Sequence, residues 1–204
     1  MHTLLPSLHS LILYGCPEIE SFSEGGLPSK LDYLSIGNCE KLVGGRRDWG
    51  LQALPSLTCF SLKGESEDVL ESFPEEGLLP PTLTYLCFRH LVNLKSLNGR
   101  GLQPLVSLEE MYITDCPQLQ SLSVERLPIS LSKLEIWDCP LVVPRCRRAE
   151  GEDWHKIAHI PHHSYSLCME DVMKECGEIL VKLLGLKRKF WATMILDLDG
   201  KFRN

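Results

Sequence analysis

Four histidines crowd one stretch of the 204-residue sequence: His155, His159, His162 and His163, with Cys139, Cys146, Cys168 and Cys176 on either side. Imidazole and thiolate are the ligands that zinc takes, four at a time, usually with cysteines two to four residues apart. No cysteine pair here has that spacing. His155 and His159, four apart, would share one face of a helix, which supplies two ligands and no more. Serine, histidine and aspartate abound, but no strand-turn-helix nucleophile elbow frames them. The G-x-x-x-x-G-K-[ST] loop that cradles phosphates does not occur. The chain is therefore expected to hold no metal or cofactor, to bind no nucleotide and to catalyse no reaction.

Bulk properties narrow the alternatives. Hydrophobic residues make up 44% of the chain and charged residues 24%, a composition that supports a packed core. The net charge of -6 argues against nucleic acid as a partner, because phosphate binding needs a basic face. Residues 1–13 lack the basic start of a secretory signal. The apolar run from Phe190 to Leu196 is far shorter than the ~20 residues that span a bilayer. Nine cysteines, an odd number without secretory context, read as reduced thiols in the cytoplasm.

The elements that would position any surface chemistry come from a repeat. The pattern L-x-x-L-x-L, with Phe, Met or Ile allowed in the apolar slots, starts at Leu8, Leu31, Leu57, Leu83, Leu108 and Leu131. The spacings of 23, 26, 26, 25 and 23 residues fall in the ~20–29 range of leucine-rich repeats. Four of the six segments end in cysteine (Cys16, Cys39, Cys116, Cys139), where a small buried group with a weak S–H donor suits a tight turn. The third and fourth carry Glu65 and Leu91 there, so irregularity is expected at those turns. Leu-Pro precedes five of the starts, and the fifth repeat has Gln103-Pro104 instead. Proline there predicts an extended lead-in. Cys-Pro at 16–17, 116–117 and 139–140 is followed by Ile19, Leu119 and Leu141, expected to line the return leg of each coil.

Alternation within L-x-L marks a short strand with one buried face. A single coil cannot bury its apolar edge, so the coils must stack. The expected fold is an α/β solenoid, a leucine-rich-repeat horseshoe arc. It would have short parallel strands on the concave face, an irregular convex side and a C-terminal helix. A β-sandwich of short strands is the alternative, but it does not require one six-position motif at this spacing. The third, fifth and seventh motif positions then point outward and form three columns. They place Tyr14, Tyr33, Lys63, Tyr85, Arg89, Tyr112, Lys133, Glu135 and Trp137 on the concave face as candidate protein-binding residues, with Trp137 and Arg89 as the leading anchors. Aromatics also suit strands for packing alone.

The stretches CPEIESFSEGGLP, WGLQALPSL, LESFPEEGLLP, NLKSLNGRGLQPLVSLEE, CPQLQSL and CPLVVPRCRRAEGEDWHKIAHIPH resemble the C-terminal repeats of plant disease-resistance receptors. These are nucleotide-binding leucine-rich-repeat proteins of the coiled-coil class. The resemblance covers nearly all of residues 4–163 and is most specific over 139–163, similar to the segment that closes the solenoid in that family. It implies a defence role in which the repeats recognise a pathogen effector or a guarded host protein, or restrain the nucleotide-binding module. It also implies that Trp154, Ile157, Ala158 and Ile160 pack as a cap on the last coil. The missing phosphate-binding loop and the start within the repeats lead us to expect a truncated fragment.

The expected organisation is repeats over 1–144, a cap over 145–163 and an atypical tail over 164–204. Arg145 to Arg148, followed by Glu150, Glu152 and Asp153, reads as a solvated, charge-mixed part of the cap, or else as a docking patch for an acidic partner. In the tail, Met169, Val172, Met173, Cys176, Ile179, Leu180, Leu183 and Leu184 recur at helical spacing, an amphipathic helix over about 167–184 ended by Gly185. Lys187-Arg188-Lys189 reads as a surface patch, or as a contact with an anionic membrane. Asp197-Leu198-Asp199-Gly200 looks like the nucleophile motif of haloacid-dehalogenase-type phosphatases, but Lys201 and the short remainder depart from it. The alternatives to plant defence are a repeat substrate receptor of the ubiquitin-ligase type and, from another class, a phosphatase-like or metal-binding protein.

Overall fold

The computed structural model describes residues 6–22, 26–64, 70–122 and 126–167. The strands are β1 Ser10–Tyr14, β2 Tyr33–Gly37, β3 Cys59–Lys63, β4 Ser72–Phe73, β5 Tyr85–Arg89, β6 Ser96–Leu97, β7 Glu110–Thr114, β8 Lys133–Trp137 and β9 His162–Ser166. Short helices cover α1 Glu40–Gly44, α2 Gly99–Leu102 and α3 Trp154–Ile157. Seven strands form one sheet in the order β1-β2-β3-β5-β7-β8-β9, every neighbouring pair parallel. Each of the six L-x-x-L-x-L segments supplies one strand, and motif positions stay in register across the sheet. Leu34, for example, faces Leu11 on one side and Phe60 on the other.

This register concentrates the core. The fourth and sixth motif positions, from Leu34 and Ile36 through Leu134 and Ile136, are shut from solvent. The leucines that open the second to sixth motifs are shut in too. An aromatic file runs behind the strands, with ring centroids 6.0 Å apart for Trp49 and Phe60, 6.3 Å for Phe60 and Phe73, and 5.4 Å for Phe73 and Phe88. Leu11 and Leu13 hold the same motif positions in β1 but are only half-buried, because β1 is paired on one side alone.

Five of the strands, β1, β2, β5, β7 and β8, end in the same turn. The residue after each takes a left-handed backbone at Gly15, Asn38, His90, Asp115 and Asp138, with φ between 52° and 64°. Glycine, asparagine and aspartate accept that conformation at least cost. The cysteine that follows donates its S–H to the carbonyl two residues back: Cys16 to Tyr14 at 3.5 Å, Cys39 to Gly37 at 3.2 Å, Cys116 to Thr114 at 3.5 Å and Cys139 to Trp137 at 3.2 Å. Leu91 fills the place as a buried apolar residue in the fourth repeat, and Glu65 lies outside the described residues.

Two expectations for the repeats need correction. Before the second, fourth and sixth motifs Leu-Pro does not open an extended lead-in. Pro28, Pro80 and Pro128 each begin a tight turn whose carbonyl accepts the N–H of the motif's first leucine at 3.0, 3.3 and 3.1 Å. Leu141 does not line the return leg: it is exposed, and Val142 and Val143 are buried instead. The reason is turn size. Ile19 and Leu119 bond back to Cys16 and Cys116 three residues earlier, whereas after Cys139 the bond comes from Val143, one residue later.

A second, smaller ladder runs along the return legs. β4 pairs with β6 in parallel, and Ser96 bridges to Ser121. Its last edge is closed by side chains. The Leu122 N–H donates to Asp153 Oδ2 at 2.9 Å, and Lys156 Nζ donates to the Leu122 carbonyl. A carboxylate and an ammonium thus meet the two backbone groups that a further strand would have met. Asp153 is the buried charged residue among those described, and it is also held by Arg145, with Nε and Nη2 each at 3.3 Å. The expected solvated patch at Arg145–Asp153 is therefore partly internal, with Glu152 on its outer side 2.6 Å from Arg145. Ile157 and Ile160 are buried as a cap requires, but Ala158 faces solvent.

Burial alone would push the Asp153 carboxyl up. Hydrogen bonds from Lys156, Arg145 and the Leu122 N–H outweigh it and hold the carboxyl below its usual value. Stability from this group is thus full above the unfolded carboxylate value near ~3.9 and is lost as pH falls through the folded value. Asp153→Asn should cost about 2–3 kcal/mol at neutral pH and flatten the acid limb of the stability curve below about pH 4. Urea denaturation at several pH values reads both effects.

The same burial pattern separates Leu34 from Leu11. Leu34→Ala should cost ~2–5 kcal/mol, and Leu11→Ala clearly less, since half of its side chain already meets water. Thermal and urea unfolding of the two variants side by side measures the difference.

Candidate functional site

With the even motif positions committed to the core, the third, fifth and seventh positions form the open face of the sheet. The first column runs Ser10, Tyr33, Cys59, Tyr85, Glu110, Lys133 and His162; the second Ile12, Ser35, Ser61, Cys87, Tyr112, Glu135 and Ser164; the third Tyr14, Gly37, Lys63, Arg89, Thr114, Trp137 and Ser166. All nine candidate residues lie on this face, and register makes neighbours of residues far apart in sequence. Tyr14 and Trp137 are 55% and 44% exposed, enough ring to meet a partner. Two outward positions are nevertheless closed, Gly37 and Cys87. The Cys87 thiol accepts from Arg89 Nε at 3.3 Å.

The face holds two side-chain clusters. In the first, Lys63 Nζ lies 5.0 Å above the Tyr14 ring and donates to its hydroxyl at 3.3 Å. Gly37 makes this possible: a Cβ there would meet Tyr14 Cδ2 at 2.8 Å. In the second, the Tyr85 and Tyr112 rings pack with centroids 5.1 Å apart. Lys133 Nζ sits 5.0 Å over the Tyr112 ring, donates to its hydroxyl at 2.7 Å and pairs with Glu135 at 3.0 Å. The Tyr112 hydroxyl in turn donates to Glu110 at 2.6 Å.

The electrostatics follow these contacts. Burial, with the Cys87 thiol beside it, pushes the Tyr85 phenol up to about 12. Donation to Glu110 raises Tyr112, against a lowering by Lys133. The hydrogen bond to Tyr112 and the pairing with Glu135 hold Lys133 above its ordinary range. Every tyrosine in the second cluster therefore stays protonated at neutral pH, a set of hydroxyl donors in fixed positions.

The histidine cluster does not converge. α3 is four residues long, so His159 falls beyond it and does not share a helical face with His155. His159 Nε2 meets the Pro128 carbonyl at 3.2 Å, His163 Nδ1 meets the Ile160 carbonyl at 2.9 Å, and His155 and His162 face solvent. Among the described residues no three histidine, cysteine or carboxylate side chains come together as a metal site, and Cys168 and Cys176 lie outside them. The amphipathic tail pattern, the basic run 187–189 and the Asp-x-Asp-Gly motif also lie outside the described residues. Among those described, no helix is long and apolar enough to cross a membrane.

Sequence reasoning missed β9. Its sequence, HHSYS, carries no leucine motif, yet it pairs with β8 in the same register and brings His162 beside Lys133. A shallow cleft of about 240 Å³ lies there, lined by Lys133, Glu135, Pro161, His162, His163 and Ser164. The signal that could have found it is spacing: β9 begins 29 residues after β8, the upper limit of the repeat.

No family model matches the chain. It is similar to a protein of Arabidopsis thaliana provisionally named for disease resistance, 42% identical over 181 aligned positions that take in 77% of this chain and 12% of that protein. A protein of Solanum bulbocastanum, provisionally named likewise, is 71% identical over 24 residues, covering 12% of this chain and 2% of its own length. The chain thus spans about an eighth, or less, of the relatives it matches. On the repeat signature, the closing segment and this likeness, the chain is a region of the plant disease-resistance protein kind.

Proposed function

We propose that the open face of the sheet is the protein-recognition surface of a plant immune receptor, acting in the cytoplasm without catalysis. In this reading the chain is a leucine-rich-repeat solenoid, with six repeat coils over 1–144, a cap over 145–163 and a tail over 164–204, and is a truncated part of a longer receptor. The partner is a pathogen effector, a guarded host protein or the receptor's own nucleotide-binding domain. Binding that prefers an unlocked state would release the signal by shifting the population toward it.

One observation carries the reading. Three columns of side chains hold rank across in-register strands, and they gather four tyrosines, a tryptophan and an arginine on one rigid surface. Tyrosine, tryptophan and arginine dominate protein-interface energies because they bury large area at small entropy cost. The names of the relatives support the defence role.

Alanine at Trp137 or Arg89 should weaken binding of a verified protein partner about tenfold or more each, which is roughly 1.4 kcal/mol or above. Calorimetric titration measures this, with the unfolding midpoint as a control for intact structure. Unchanged affinity in both variants would sink the assignment of this face.

A further inference from the structure

Across the six motif strands the third column of the open face reads aromatic, small, cation, cation, small, aromatic (Tyr14, Gly37, Lys63, Arg89, Thr114, Trp137), and Ser166 of β9 follows. Lys63 and Arg89 are register partners at the ends of β3 and β5, so their Cα atoms sit one strand spacing apart, about 4.8 Å. Like charges directly opposite each other on neighbouring strands destabilise a sheet. Folded proteins usually relieve such a pair with a carboxylate. Carboxylates are plentiful in this chain, 27 in all, and they answer other cations: Glu135 meets Lys133 at 3.0 Å on the same face, Glu71 meets Lys95 at 2.6 Å, and Glu18 and Glu20 meet Lys41 at 2.9 and 3.3 Å.

No carboxylate of the described residues pairs with Lys63 or Arg89. Lys63 rests on the Tyr14 ring and Arg89 on the Cys87 thiol, both uncharged contacts. Asp115, which follows β7 next to Arg89, lies instead 3.4 Å from His90. Two cations on neighbouring strands are therefore held against tyrosine and cysteine, with no carboxylate partner among the described residues.

We propose that Lys63 and Arg89 are the receiving half of a docking site for an acidic segment of a protein partner. That segment carries two carboxylates, one for the ammonium beside Tyr14 and one for the guanidinium beside Cys87, and apolar side chains that reach Tyr14 and Trp137. The guanidinium offers a planar fork to one carboxylate and the ammonium a point charge to the other. The proposal rests on the reading of the open face as a protein-recognition surface and adds the chemistry of what is recognised.

The test uses the full chain labelled with nitrogen-15 and two probes: an acetylated, amidated Asp-Glu hexapeptide and its Asn-Gln counterpart. The acidic peptide should shift the backbone signals of residues 59–63 and 85–90 and the Arg89 Nε–H signal, and the amide peptide should not. K63A/R89A should weaken the acidic peptide about tenfold without lowering the unfolding midpoint, since it removes a like-charge pair from the surface. K63E/R89E should take up a Lys-Arg hexapeptide and refuse the acidic one. Equal binding of the amide peptide, shifts centred on other cations such as Lys30 or Arg47, or unaltered binding by K63A/R89A would each overturn the proposal. Inorganic phosphate at the same concentration that matches the peptide in shift and affinity would overturn it too, because the site would then read any anion. If Trp137→Ala weakens a verified partner while the acidic peptide fails, this inference falls and the recognition face stands.

Discussion

Each repeat carries more apolar surface than it can bury by itself, and only its neighbours can cover the excess. A buried leucine contributes about 2 kcal/mol through area removed from water, so the leucines of the L-x-x-L-x-L segments make registered stacking the lowest state. Slipping one strand by a residue would turn Leu34 and Ile36 toward water and Tyr33 and Ser35 toward the core. The contrast between Leu34, fully buried, and Leu11, half-buried at the same motif position, shows the constraint at work within one molecule. The turns serve it. A left-handed residue after five of the strands redirects the chain, and at Gly37 and Trp137 a cysteine thiol adds a second donor to a strand-end carbonyl that already accepts a neighbouring backbone N–H.

The open face is a by-product of that packing. Alternation within each strand sends the fourth and sixth motif positions inward and leaves the third, fifth and seventh mostly free of core duty, and the shared register aligns these into columns. Side chains from six repeats can then act together without any loop to place them. The rigid backbone also makes small differences count. Gly37 lets the Tyr14 ring lie across its place and reach Lys63, a contact that no sequence window spans. At Cys87 the outward rule gives way, because Tyr85 and Arg89 on either side in the strand close over a small residue.

The repeat starts, the strands, the inward and outward positions and the thiol turns were legible because one periodic constraint dictates them all. Some of the differences sit where that period stops, and one recurs within it. β9 carries no leucines; it is the last strand among the described residues and pairs with β8 through a polar segment that includes His162 and Ser164. Asp153 read as solvent-exposed because its role, closing the small ladder at Leu122, depends on a residue 31 positions away. The prolines were assigned an extended lead-in from their fixed φ, which fits a tight turn equally well, and only the hydrogen bonds to Pro28, Pro80 and Pro128 distinguish the two. The face was legible as a set of columns but not as clusters. Which side chains touch depends on rotamers, as in the Lys133, Tyr112 and Glu110 chain.

Stacked repeats interact with nearest neighbours, so local stability grades along the array and is greatest where a repeat is covered on both sides. Covered repeats at β3 and β5 carry Phe60 and Phe88, both in the aromatic file and both without solvent exposure. Lys63 and Arg89 lie directly in front of that part of the core. Holding two like charges on neighbouring strands requires a backbone that will not yield to their repulsion, and strands paired on both sides supply it. The half-covered β1 does not. It offers Ile12 and Tyr14 on a strand whose inner leucines still reach water. Packing and surface chemistry thus point to one division of labour: firm central strands hold the charges, and the aromatic side chains stand toward the ends of the column.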